Sequence, residues 1–323
     1  MIVGRLQWGR ILWTTRGYVA WFSLVAFAGV ATHLVIHHPE YWGLDPGLSS
    51  RMERWTAWYE EGVPFSAIGA LGSALAIFLA FRNNSAYDRW WEARKIWGAL
   101  VNDSRSWCRQ CVAWVRVERG EGAADVLAFR KELVHRHLAF VHGLALHLRK
   151  DAGLVDAIEG FLPPDEADYY RTVPNVPTAL LIRQGVRVAE LRAAGVIEHF
   201  RHLAMDGMLT RLSDIQGKCE RIKNTPLPRQ YDQITRAFVV VYGSLLPFGL
   251  AASVGWAAIP LTVVIAMLFV LLEGSGRVIE NPFENTPMDT PMTALSLTIE
   301  RDLRAALEEP LPEGAVPVNG VLY

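Results

Sequence analysis

The chain has 323 residues and a formal net charge of −1, with 32 Lys and Arg against 33 Asp and Glu. That balance gives no electrostatic case for a nucleic-acid partner. Hydrophobic residues make up 51 % and mean hydropathy is +0.16 beside 20 % charged residues, so the apolar residues must be gathered into tracts.

Residues 1–16 carry Arg5, Arg10 and Arg16 and precede Gly17 to Ile36, twenty residues in which His33 is the only group able to carry a charge near neutral pH. A hydrocarbon core of about 30 Å needs roughly 20 helical residues at about 1.5 Å each, so 17–36 predicts one membrane span. A cleaved signal peptide fits less well, because the tract exceeds the usual apolar length and no small-residue cleavage site follows. Residues 37–62 then form an extracytoplasmic loop, with five acids against Arg51 and Arg54 and with Glu60 and Glu61 at its end. Val63 to Phe81 is nineteen uncharged residues and predicts the second span.

The pattern does not break there. FRNNSAYDRWWEARKIWG, residues 81–98, turns charged and aromatic with no Pro or Gly before Gly98, so the helix is expected to run on to about residue 118. Trp90, Trp91 and Trp97 suit an aromatic belt at headgroup level. Arg82 is placed to reach a neighbouring helix, and Asp88, Arg89, Glu92, Arg94 and Lys95 to tie helices together. A solvated juxtamembrane face is the plainer reading of the same spacing. Within the span, Ser73, Ile77 and Phe81 recur every fourth residue and share one face over about 12 Å. Turned toward a symmetry axis, such a face would form stacked rings able to gate ions by dewetting; turned elsewhere, it is packing or lipid contact.

Residues 119–236 predict a helical cytosolic domain. LRKDAGLVDAIEGFL, LIRQGVRVAELRAAGVI and LTRLSDIQGKCERI read as amphipathic helices, punctuated by Pro163-Pro164, Pro174, Pro177, Pro226 and Pro228. Cys108 and Cys111 form a C-x-x-C upstream of His135, His137 and His142, but Cys219 is the only other cysteine. Zinc needs four closely held ligands, so half-buried, reduced thiols are the better reading and neither a metal nor an enzymatic site is expected. Ala237 to Leu272 is thirty-six residues, too long for one crossing, with Pro247, Gly249, Gly255 and Pro260 as places to turn. It predicts a hairpin of two spans turning near Ser253 to Trp256. Residues 273–323 form a cytosolic tail with NPFENTPMDTPM and a short helix, LSLTIERDLRAAL. Lys and Arg near the span ends then place both termini in the cytoplasm of a cell or inner membrane.

PFSAIGALGSALAIFLAFRNNSAYDRWWEARKIWG resembles the membrane helix of bacterial bestrophin-like proteins. PLP at 226–228, ENPFENTPMDTPM at 280–292 and TIERDL at 298–303 agree in order and spacing, so the resemblance covers roughly residues 10 to 307. It implies an all-α membrane protein with four transmembrane helices per subunit and a large helical cytosolic domain. It also implies a homopentamer around one five-fold pore, each chain with four identical copies. The neck carries over to Ser73, Ile77 and Phe81, and a cytosolic constriction to Val188. Arg82, Asp88, Arg89, Trp90, Trp91, Glu92 and Arg94 become structural and subunit-interface positions. Asn281, Pro282, Phe283 and Asp289 become a tail motif strapping subunits together. Animal members hold calcium just after this motif, but here the tail offers only Glu284 and Asp289, too few for the oxygen-rich shell calcium prefers. No cofactor is expected. Family resemblance favours chloride as the permeant ion. The acidic outer mouth favours sodium or another small cation, while the outward helix N-terminus favours anions. A solute carrier lacks support, since neither repeats nor paired broken helices appear.

Overall fold

A computed structural model describes residues 8–38, 43, 65–116, 123–164 and 166–323. Glu60, Glu61 and most of the predicted extracytoplasmic loop lie outside the described residues. Helices dominate and no strand is formed among the described residues, apart from one isolated bridge between Val318 and Val321. The expectation of an all-helical chain is borne out.

The chain divides into two compact units. One contains the described residues up to Tyr87 together with 227–280. It holds α1 (Trp8–His37), the first part of α2 (Phe65–Trp114), and the pair α8 (Arg229–Val254) and α9 (Ala258–Glu280). By length and composition, three stretches could cross a membrane: Trp13–His37, Ser66–Trp114 and Asp232–Glu280, the last of them folded back as α8 and α9. The fold-back occurs through a 3-10 turn at Gly255–Ala257, where Gly255 takes φ 54° and ψ −129°. A side chain is disfavoured in that backbone region, so the glycine is what permits so short a turn. Pro247 is tolerated inside α8 although it donates no hydrogen bond. Inside this unit Phe22, Leu75, Leu79, Val239, Ala266 and Val270 form one core cluster, and Val30, Ile68, Leu246, Leu250 and Ala258 another. Outside it, Leu24, Phe27, Phe238, Val241, Val264 and Leu268 are all exposed. Water would penalise so much outward apolar surface, whereas hydrocarbon does not.

The other unit comprises 88–226 and 281–323. It holds the second part of α2, then α3 (Ala123–Arg149), α4 (Leu154–Ile158), α5 (Ala167–Thr172), α6 (Val176–Ala193), α7 (His199–Asn224) and α10 (Met292–Ala306). Its core includes Trp97, Trp107, Phe140, Tyr170, Leu180, Leu212, Phe283 and Ile299. Asn175 opens α6 by accepting from the Thr178 N–H at 3.1 Å, and Glu198 opens α7 by accepting from Phe200 and Arg201 at 3.1 and 3.3 Å. Each cap satisfies backbone donors that the first turn leaves unpaired. LRKDAGLVDAIEGFL is not one helix. Lys150 adopts φ 57° and ends α3, with Lys150 and Asp151 amides bonded back to His147 and Leu146 carbonyls. That paired closure is a Schellman stop with Lys in the place usually taken by Gly, and it hides in the sequence. α2 ends at Trp114, four residues short of the expected limit.

Candidate pore-lining helix

The candidate site is one face of α2. Helical spacing puts Ser73, Ile77, Phe81 and Ser85 in a row. All four are exposed in the single chain, Ile77 at 59 % and Phe81 at 70 %. On the opposite side Leu75, Leu79 and Arg82 are buried, so α2 is anchored by one face and bare on the other. The two serines at the ends of the row are already engaged. Ser73 Oγ donates to the Gly69 carbonyl at 3.0 Å and Ser85 Oγ to the Phe81 carbonyl at 3.0 Å. Between them lie only hydrocarbon side chains, so this part of the row carries no charge.

The anchor is polar. Arg82 has a side chain 3 % exposed and sends Nη2 to Asp232 at 2.7 Å and to Glu280 at 3.5 Å. Its Nη1 donates to the Glu273 carboxylate at 3.4 Å and to the Glu273 carbonyl at 3.3 Å. Arg277 joins from α9, with Nε on Asp232 at 3.2 Å and Nη2 on Glu273. Two cations thus face three carboxylates drawn from α8 and α9. Asn83 beside it donates to the Leu272 carbonyl at 2.9 Å. The expectation named Arg82 but missed Asp232, Glu273, Arg277 and Glu280. The available signal was that charges border the apolar tracts of all three helices, with Glu273 and Arg277 one turn apart.

The remaining residues of the charged stretch make ties within the second unit. Arg89 donates to the Thr225 and Ile222 carbonyls at 2.6 and 2.7 Å, closing the C-terminal end of α7. Trp90 Nε1 donates to the Met288 carbonyl at 2.8 Å, Arg94 lies 4.9 Å over the Trp90 ring, and Glu92 pairs with Arg221 at 2.5 Å. Asp88 and Trp91 are exposed. Trp97 is fully buried in the core and therefore cannot belong to a headgroup belt.

Val188 requires a correction. It is 1 % exposed and packed inside the core of its unit, so it has no free surface with which to line a constriction. The exposed large apolar residues of α6 are Ile182 and Val186. In the tail motif Pro282, Phe283 and Asp289 fold onto their own chain, while Asn281 is exposed. Phe283 is buried in the core, and the Pro282 carbonyl accepts from Thr290 N at 3.1 Å. Asp289 accepts from the Thr286 amide at 3.0 Å and from its hydroxyl, and Glu284 pairs with Lys223 at 2.8 Å. Both carboxylates thus already have protein partners. Cys108, Cys111 and Cys219 are free and buried, and burial pushes the Cys219 thiol up to about 12. His135 and His142 meet Glu309 and Glu300 at 2.8 and 3.0 Å, while His137 meets Ser104 at 2.9 Å. Among the described residues no three metal-ligating side chains converge.

Comparison with known proteins bears on the whole chain. The family model described as bacterial and fungal bestrophin protein matches residues 3–305. A voltage-dependent anion channel-forming protein of Ralstonia nicotianae is 37 % identical over 247 residues, 76 % of this chain and 78 % of that protein. A protein of the same description from Escherichia coli K12 is 30 % identical over 249 residues, 76 % of this chain and 79 % of that protein. A bestrophin homologue from Klebsiella pneumoniae, solved by crystallography, superposes with a TM-score of 0.76 at 24 % identity, over 90 % of this chain and 98 % of that one.

Proposed function

Because the chain belongs to the bacterial and fungal bestrophin family, a family of channels rather than enzymes, we propose that it forms a homopentameric anion channel in the cell membrane. The name carried by its relatives supports the anion reading. The observation that carries the proposal is the bare apolar row of Ile77 and Phe81 on a helix whose other face is firmly anchored. Five such helices around an axis would bring these side chains together as a neck, with Ser73 as its outermost ring. A narrow apolar ring resists water and so holds ions back until it widens. In this reading 17–36, 63–81 and the two arms of 237–272 cross the bilayer, both termini are cytoplasmic, and α2 continues from the pore into the cytosolic part. Trp90, Trp91, Glu92, Arg94 and the tail then lie where neighbouring subunits meet.

A sodium-selective channel on the same frame is the second reading, favoured by the acidic 37–62 segment and its Glu60-Glu61 pair. Single-channel recording of the purified protein in a planar bilayer under an asymmetric NaCl gradient separates the two. A reversal potential at the chloride value supports the first, and one at the sodium value supports the second. Phe81→Ala should raise conductance without loss of assembly. If neither the parent protein nor Phe81→Ala carries current, the channel proposal fails.

A further inference from the structure

α6 and α7 lie side by side in the second unit and form a groove of about 480 Å³ between them. Its two walls differ. α6 supplies Leu181, Ile182, Gly185 and Val186, whereas α7 supplies Asp206, Thr210, Ser213, Gln216 and Glu220. No Lys, Arg or His lines it. From this arrangement we infer that the groove binds a linear polyamine, its ammonium groups on the α7 wall and its methylene runs along the α6 wall. The inference does not depend on the channel proposal.

The α7 wall is rich in acceptors that the chain leaves unused. The Asp206 carbonyl accepts from Thr210 Oγ1 at 3.2 Å, while its exposed carboxylate has no partner among the described residues. Glu220 accepts from Asn175 Nδ2 and Gln216 Nε2 at 2.9 and 2.8 Å, with His147 Nε2 at 3.4 Å. All three lie on Oε1, so Oε2 stays open. Gln216 is only 4 % exposed, and its bonds to Asn175, Thr178 and Glu220, at 3.2, 2.7 and 2.8 Å, all leave from Nε2. Those acceptors fix the amide and leave Oε1 as the atom Gln216 offers the groove. A buried carbonyl without a donor is costly, and such a group calls for a donor from outside the chain.

Spacing selects the ligand. Asp206 and Glu220 lie on one face of α7, roughly 21 Å apart along the axis at about 1.5 Å per residue. A single metal ion cannot touch both. Extended spermine advances about 1.2 Å per bond, the pace of an extended chain, and so covers roughly 16 Å between its terminal nitrogens. Charge-assisted contacts of about 2.8 Å at each end complete the interval. The inner nitrogens then pass Thr210, Ser213 and Gln216, and the methylenes lie against Ile182 and Val186, both exposed in the chain alone. Gly217 keeps the groove open, since a Cβ there would meet nothing within 4 Å.

The test is calorimetric titration of spermine into the full-length protein in detergent. One spermine per chain is expected. Asp206→Asn should weaken binding about two- to fivefold, as loss of an exposed ion pair does. Gly217→Leu should weaken it about tenfold or more, because the new side chain fills the groove. Asp206 is unpaired and Gly217 faces open space, so neither variant disturbs the fold. Diaminobutane reaches only one of the two acids and should bind about fivefold more weakly or worse. Magnesium at the same concentration should not displace spermine, since it has no apolar part for the α6 wall. No binding by the parent protein, as when a second copy of the chain covers the groove, would overturn the inference. So would unchanged affinity in either variant or equal affinity for diaminobutane. Displacement by magnesium would overturn it too, marking a diffuse acidic surface instead of a groove that measures its ligand.

Discussion

Replacing Arg82 by Gln removes the guanidinium that three carboxylates share and leaves the volume nearly intact. The side chains of Arg82, Glu273 and Glu280 are 3 %, 7 % and 13 % exposed, and that of Asp232 is 34 %. After the substitution Arg277 still reaches Asp232 and Glu273. Breaking a buried ion pair by deleting one partner costs about 3–5 kcal/mol, because the other charge stays desolvated. The partly exposed Asp232 contributes little, so the lower end applies, about 3 kcal/mol. At about 2–4 °C per kcal/mol, that corresponds to a fall of roughly 6–12 °C in the unfolding midpoint. The assay is thermal unfolding of the detergent-solubilised protein, followed through the buried tryptophans. Arg82→Lys keeps the charge but not the fork that serves several acceptors, and should fall between parent and Arg82→Gln. The double variant Arg82→Gln with Glu273→Gln should recover part of the loss, since one of the buried carboxylates that lost Arg82 is neutralised. An Arg82→Gln protein within about 1 kcal/mol of the parent would refute the reasoning, because values that small belong to solvated pairs. A double variant whose losses simply add would refute it too.

Helix crossings give a second prediction. A Cβ on Gly243 would lie 2.5 Å from the buried Phe22 ring and 3.0 Å from Ala266 Cβ, and one on Gly276 would lie 2.0 Å from Asn83 Oδ1. Gly243→Ala and Gly276→Ala should each cost about 1–3 kcal/mol through overpacking. Gly274→Ala, with nothing within 4 Å, should be neutral or stabilising in the same thermal assay. His137 should shape the acid limb of stability. Burial pushes its pKa down to about 3, against about 6.5 in the unfolded chain. Its contribution is therefore complete above about pH 6.5 and is lost as pH falls toward 3, at up to about 1.4 kcal/mol per unit. His137→Gln should flatten that slope in unfolding midpoints measured between about pH 4 and 7. All three cysteines are buried, so a thiol-reactive dye should label none of them until the protein unfolds. Prompt labelling of Cys219 would contradict the packing around it.

The sequence is read most easily where one physical constraint dominates. The long uncharged tracts announce helices, because hydrocarbon tolerates only backbone that is bonded to itself, and Gly255 with Pro260 announces a turn inside a tract too long for one crossing. Periodicity shows that a face is apolar but not what covers it. Ile77, Phe81 and Val188 are all apolar residues on helices, yet the first two are exposed and the third is sealed within a core. Partner identity is hidden for the same reason. Arg82 stands out as a cation at the end of an uncharged run, but Asp232 and Glu273 lie 150 and 191 residues away and meet it only through the α8–α9 fold-back. The stop at Lys150 escapes notice because a left-handed lysine has no compositional mark.

Ser73 has one hydroxyl proton, and it points back along its own helix to the Gly69 carbonyl. What the residue shows outward is therefore lone-pair density. A sodium ion at this level would find acceptors already aimed, whereas a chloride ion would have to turn the hydroxyl around and give up a bond whose net value is about 1 kcal/mol. That amount is small enough for either ion to be served. In the proposed pentamer such a ring would be a polarity that can be reversed cheaply, with the sign of the passing ion deciding which way its five hydroxyls face.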